Sequence, residues 1–143
     1  MASYGISEVP YEEGTWTPVL TFATAGDLAR TYTTQTGSYE RVGSLVLVRV
    51  HILTATFTHT TASGNARITG LPFAVGTGAV CGLGAWGGVT KANYTDVGLQ
   101  AVAGQSYLQL YASGSAQAAA NLAAADMPTT GAVLLIGEVL YRI

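Results

Sequence analysis

The chain has 143 residues, of which 49% are hydrophobic and only 10% charged, with 18 glycines. That length is one domain with enough chain to bury its own core, and so little charge excludes ordinary disorder and argues against a lone, well-solvated monomer. Six basic residues against eight acidic ones give a formal charge of −2, which leaves no basic footprint for nucleic acid.

Residues 1–14 are polar, with Pro10 and the Glu12-Glu13 pair, and read as an N-terminal arm ahead of a domain over 15–143. The arm lacks the basic start and apolar stretch of a secretory signal. Thr15 to Ala23 reads as a first strand, with Pro18 marking an edge or irregular position. Ala29 to Gln35 and Ser38 to Val42 read as a hairpin around Thr36-Gly37. Ser44 to Thr58 is the clearest strand. Its even positions are Val46, Val48, Val50, Ile52, Thr54, Thr56 and Thr58; its odd ones are Leu45, Leu47, Arg49, His51, Leu53, Ala55 and Phe57. Side chains alternate across a strand, yet both sets are largely apolar. A strand with one solvated face does not look like that. It belongs in the middle of a layered fold or under a subunit interface.

Thr60 to Gly64 is a polar tip, and Ala66 to Thr69 a short strand. Ile68 to Thr90 carries no charge, but Pro72 and its glycines make it two strands and a connection rather than a membrane span. Ala79 to Trp86 and Val97 to Val102 are further strands, joined by the long loop Gly87 to Asp96. Gln105 to Ala112 alternates, with Tyr107, Gln109 and Tyr111 on one face. Ala116 to Ala125 is the only helix-compatible run. It is too short to stand alone and is expected as a turn or short helix at the sandwich edge. The last strand, Ala132 to Tyr141, is apolar on both faces apart from Glu138. Strands punctuated by Gly, Asn, Ser and Pro at this spacing describe an all-β sandwich or barrel.

Motifs for chemistry fail on context. Gly82-Leu-Gly-Ala-Trp-Gly87 fits a dinucleotide fingerprint only if a helix and then an acid follow. Here Gly88-Val89 follow, and no acid lies between Asp96 and Asp126. No nucleophile elbow is present. His51 and His59 stand about 25 Å apart on a straight strand, at ~3.3 Å per residue, too far to share a metal. The single cysteine, Cys81, excludes an intrachain disulfide and reads as a small core residue. No catalytic residue, cofactor or metal is expected. Asn93-Tyr-Thr95 is a glycosylation sequon without a secretory signal. The loop around it gathers Trp86, Lys91, Asn93, Tyr94 and Asp96. Aromatic faces stack on sugar rings, and planar amides and carboxylates fork onto hydroxyl pairs. These five, with His59 at another loop tip, are the candidate glycan contacts. Arg49 and Glu138 interrupt apolar faces. They either pair across strands or a subunit boundary, as buried charges must, or lie on a solvated patch.

Three segments carry a resemblance. Glu13-Gly-Thr-Trp-Thr-Pro-Val-Leu-Thr-Phe22, Tyr32-Thr-Thr-Gln-Thr-Gly-Ser-Tyr-Glu-Arg-Val-Gly43 and Ser63-Gly-Asn-Ala-Arg-Ile-Thr-Gly-Leu-Pro-Phe73 resemble, in order, segments of the C-terminal domain of bacteriophage tail fibres, tailspikes and related virion head spikes. The resemblance covers 13–143. It implies a jelly-roll-type antiparallel β-sandwich that forms a homotrimer, and structural roles for Trp16, Pro18, Tyr32, Gly37, Tyr39, Gly43, Gly70 and Pro72. It implies a non-enzymatic virion protein, made in the bacterial cytoplasm, that attaches the particle to a host surface polysaccharide. A purely structural trimerisation, capping or capsid-decorating role is the first alternative, and a small polysaccharide depolymerase the second. The family's long shaft has no counterpart here. The chain is then either a piece of a longer fibre or a short spike whose arm docks on another virion protein. Nucleic acid and membrane insertion are not expected.

Overall fold

A computed structural model describes residues 9–77 and 79–143, without the side chains of residues 79–83. The expectations for Cys81 and for the arm up to Glu8 fall outside the described residues. Ten strands follow: β1 Tyr11–Trp16, β2 Val19–Thr24, β3 Ala29–Val42, β4 Leu45–Thr58, β5 Ser63–Thr69, β6 Ala79–Gly87, β7 Asp96–Ala101, β8 Tyr107–Ser113, β9 Ala120–Asn121 and β10 Leu134–Arg142. Every pairing is antiparallel, in the order β1-β3-β4-β10-β6-β7-β8-β5-β2, with β9 beside β8. The protein is all-β, in two antiparallel sheets. Strand β6 belongs to both: residues 83–87 pair with β10 and residues 79–82 with β7. A register shift opposite Ile136-Gly137 marks the bend. Among the described residues no helix is long and apolar enough to cross a membrane.

The core lies between the sheets. It takes Leu20 and Phe22 from β2, the even face of β4 from Val46 to Ile52, Ile68 from β5, Leu108 and Leu110 from β8, and Leu135, Val139 and Tyr141 from β10. Tyr141 is 2% exposed. Its hydroxyl donates to the Phe73 carbonyl at 2.9 Å, and burial pushes its pKa up to about 12. Thr54, also in the core, accepts from the Val133 amide at 2.8 Å, so its polar atom is satisfied.

The even face of β4 does not stay inward to its end. Thr56 pairs Thr31, Thr54 pairs Tyr32, and Leu53 pairs Thr34. Ala55 and Thr33 are therefore extra residues, one bulge on each strand. Beyond the bulge the phase flips, so Phe57 is buried while Thr56 and Thr58 are exposed.

Three other expectations change. The first strand is broken at Thr17-Pro18, and its two halves lie in different sheets. Strand β1 starts at Tyr11, so residues 11–14 of the expected arm pair with β3. The expected hairpin at Thr36-Gly37 is continuous strand. Gly37 pairs Trp16 on one side and Val50 on the other, so a turn there would break two ladders. The helix-compatible run, expected as a turn or short helix, gives the two-residue strand β9 and a single 3-10 turn, Ala124–Asp126.

The chain passes from one sheet to the other at Thr17-Pro18, and side chains fasten that corner. Gln35 Nε2 donates to the Pro18 carbonyl at 2.8 Å, the Leu20 amide donates to the Tyr32 hydroxyl at 3.0 Å, and Trp16 Nε1 donates to the Ser38 carbonyl at 3.2 Å. Two glycines make room. A Cβ on Gly37 would stand 2.7 Å from Trp16 Nε1, and one on Gly70, at φ +98, 2.5 Å from the Thr17 carbonyl. Close backbone approach is what glycine in a strand permits.

This packing sets a test. Gly37→Ala should destabilise the domain by about 2–3 kcal/mol through overpacking. Gly104→Ala, at φ +79 with open space around it, should cost only the ~1 kcal/mol of a left-handed alanine. Urea unfolding of both variants measures the difference, and equal losses would contradict the corner's role.

Candidate functional site

One end of the sandwich is built by the ends of β4, β6 and β8 and the starts of β5, β7 and β10. The registers place these termini together: Leu53 opposite Leu134, Leu134 opposite Gly87, and Asp96 opposite Ser113. Two cavities open there.

The first is a groove of about 450 Å³ lined by Trp86, Thr90, Lys91, Tyr94, Asp96 and Ala112, among others. It gathers four of the six expected contacts. Trp86 is 37% exposed at the end of β6. Tyr94 is held by its hydroxyl, which donates to the Ala118 carbonyl at 2.8 Å, and by the turn in which its amide donates to the Lys91 carbonyl. Lys91 Nζ lies 5.8 Å from the centroid of the Tyr94 ring and 2.9 Å from Asp126 Oδ2. Both members of that ion pair are largely sheltered. Asp126 also accepts the Ala123 amide at 2.9 Å, and its own carbonyl accepts the Thr90 amide. The 3-10 turn thereby anchors the groove loop. Asp96 is exposed; its Oδ1 accepts the adjacent Val97 amide at 3.0 Å.

Asn93 is outside the groove lining. It takes φ +69 in the turn before Tyr94, a conformation asparagine tolerates better than most residues. Its local role is the turn. His59 is also elsewhere, and it is no exposed tip. It is 6% exposed, with its ring centroid 4.9 Å from that of Phe22 and 5.7 Å from that of Phe57. The bulge at Ala55 that turned Phe57 inward brings His59, two residues on, to the same side.

His59 lines the second cavity, of about 700 Å³, with Thr58, Thr60, Met127, Thr129 and Thr130. That cavity has hydroxyl and methyl walls and no carboxylate or ammonium group. The tip above it is clamped by Asp27, which accepts the amides of Thr60 and Thr61 at 2.8 Å each and the Thr60 hydroxyl. These hydrogen bonds hold the Asp27 carboxyl well below the usual carboxylate range.

Arg49 and Glu138 face each other across β4 and β10, with Arg49 Nε 3.4 Å from Glu138 Oε2. Arg49 Nη1 also donates to Glu40 Oε1 at 2.9 Å. This belt lies on the outer face of its sheet, about half exposed in the protomer. Leu47 and Leu140 stand opposite one another on one side of it, and His51 and Ile136 on the other. Among the described residues no three His, Cys, Asp or Glu side chains come together as metal ligands.

Sequence reading missed Asp126. It lies 35 residues from Lys91, with no periodicity or motif to join them.

No protein-family model matches the chain, and no curated protein matches it. A solved structure does: the crystal structure of the Dettilon tailspike protein, gp208. It superposes with a TM-score of 0.63 at 20% sequence identity, over 90% of this chain and 23% of that one. The chain thus has the fold of a segment under a quarter as long as that tailspike.

Two tests follow from the site. Asp126→Ala should cost about 1–2 kcal/mol, because it strands the sheltered Lys91 ammonium and the Ala123 amide, and should speed hydrogen exchange at the Thr90 and Tyr94 amides. Unchanged exchange there would mean the loop holds itself. For Asp27, a folded pKa below the unfolded one means that its stabilisation is complete above the ordinary carboxylate pKa of ~3.9 and drains away as pH falls below it. The Thr60 and Thr61 amide shifts should therefore stay constant through that range, where an unclamped carboxylate titrates. Asp27→Asn should lose the acid-dependent part of tip stability. A midpoint at the ordinary value would refute the clamp.

Proposed function

We propose that the chain is a non-enzymatic domain of a virion fibre or spike, which self-associates as a homotrimer of jelly-roll sandwiches and attaches the particle to a host surface polysaccharide. One observation carries the reading: on a fold shared with a segment of a phage tailspike, an open groove presents Trp86, Tyr94 and Asp96 together. An exposed indole beside a fixed tyrosine and a carboxylate is the equipment for stacking on a sugar ring and accepting its hydroxyls.

The self-association part rests on the outer face of the β1-β3-β4-β10 sheet. Tyr11, Val42 and Leu140 are among the most exposed large apolar side chains, and Leu45, Leu47, Leu53, Leu134 and Ile136 are only half-buried. An exposed apolar face of this kind marks an interaction surface. The Glu40–Arg49–Glu138 belt across it supplies charge that a second copy can register against. Three copies of one weak sugar site would also bind by avidity. The same face supports a second reading, in which the domain trimerises or caps a particle and binds no glycan.

The two parts are tested separately. Light scattering across a dilution series should give a mass three times that of the chain, and Leu47→Glu should lower it. A persistent monomer would defeat the trimer. On an array of bacterial polysaccharides, Trp86→Ala and Tyr94→Ala should each weaken binding by about tenfold or more, the scale of an aromatic hot spot. Binding to no polysaccharide would leave the structural reading, and binding unaffected by both substitutions would place the site elsewhere.

A further inference from the structure

We infer that the Trp86 groove selects uncharged or amino-bearing sugars and discriminates against acidic ones such as uronates. This deepens the glycan reading and rests on it.

The argument is a charge balance. By residue type alone the groove loop holds one cation, Lys91, and one anion, Asp96. In the fold Lys91 is already answered. Its ammonium sits 2.9 Å from Asp126, and the pair is sheltered, at 24% and 16% side-chain exposure. Asp126 is itself fixed by the Ala123 amide, so it cannot swing away to release the lysine at no cost. A carboxylate arriving in the groove would have to compete for an ammonium that an internal carboxylate already holds. Asp96 is different. It is exposed, forms no ion pair among the described residues, and accepts only the neighbouring Val97 amide. The charge the groove shows to a ligand is thus negative. Like charges within a few ångströms are disfavoured even at a high effective dielectric, and the chain's net charge of −2 adds to the repulsion of a polyanion at longer range. The remaining lining suits a neutral ring: an indole and a phenol for stacking, Thr90 and Thr95 hydroxyls, and the Val89, Ala92, Val97 and Ala112 side chains. A free carboxylate accepts hydrogen bonds from vicinal hydroxyls and pairs with the ammonium of an amino sugar.

The experiment uses the whole chain and matched monosaccharides: glucose, glucosamine and glucuronate, with the corresponding galacto and manno series. Binding is followed by the NMR shifts of the Trp86 indole and Tyr94 amide at low ionic strength. In at least one series the neutral or amino member should shift both signals, and its uronate should bind about tenfold more weakly, the scale of one screened like-charge contact. Asp96→Asn, an exposed and nearly isosteric change, should shrink that gap to about threefold or less. A uronate that binds as well as its neutral partner, with Trp86→Ala abolishing both, would overturn the charge reading and leave the groove as the sugar site. If no series moves either signal, the sugar site and the selectivity fall together.

Discussion

The fold depends on how one chain changes sheets at Thr17-Pro18. The two edge strands of the pairing order, β1 and β2, are consecutive in sequence, and Thr17-Pro18 separates them. A sandwich opened at such a corner would expose unpaired backbone at both edges. Here the long strand β3 covers the gap with side chains. Tyr32 and Gln35 take hydrogen bonds from or give them to the β2 side of the corner, and the Trp16 indole ties back to β3. Glycine at 37 and 70 lets the indole and the Thr17 carbonyl approach the backbone. Trp16, Pro18, Tyr32, Gln35 and Gly37 of the first two resembling segments, with Gly70 of the third, thus have a structural role that needs no ligand. They close a corner.

The second passage between sheets, in β6, positions the candidate site. Because β6 leaves β7 and joins β10 part-way along its length, its end carries Trp86 to the rim where both sheets finish. The segment after β9 then returns across the same rim as a 3-10 turn. Asp126 reaches the groove loop from one part of it, while Ala124, Ala125 and Met127 wall the larger cavity. A single short turn is thus shared by both openings, and a change in it is felt in both.

Much of this was legible in the sequence. Apolar runs marked β4 and β10 and alternation marked β8, while β4 and β10, apolar on both faces, left their inward sides open; Pro18 marked an irregularity. Four groove residues were found because they lie within eleven positions of one another, so proximity in sequence stood in for proximity in space. The errors share a cause. Thr36-Gly37 carries a turn signal, but its glycine serves the Trp16 contact from a neighbouring strand. Phe57 and His59 change side because of a bulge at Ala55, and an extra residue in a ladder leaves no trace in composition. The helix-compatible alanines of 116–125 have the right propensity but reach only a single 3-10 turn, and edge pairing with β8 takes Ala120 and Asn121. In each case pairing between strands overrode a correct local preference.

Sparse charge connects the composition to the site. A chain with only fourteen Asp, Glu, Lys and Arg residues has few charges for solvation, and the structure engages most of them in contacts of its own. Asp27 clamps a tip, Arg41 lies over Phe73, Arg67 over Tyr107, Arg49 joins Glu40 and Glu138, and Lys91 joins Asp126. Tyr39 and Tyr11 donate to Glu12 and Glu13. Such pairings add little stability each when exposed, but together they leave a surface whose character is set by apolar, aromatic and hydroxyl groups. Against that background one unpaired carboxylate is a strong local feature. Asp96 stands at the rim beside the exposed indole. On the proposed glycan reading, the low charge that the composition announces is what would let a single residue there discriminate among ligands.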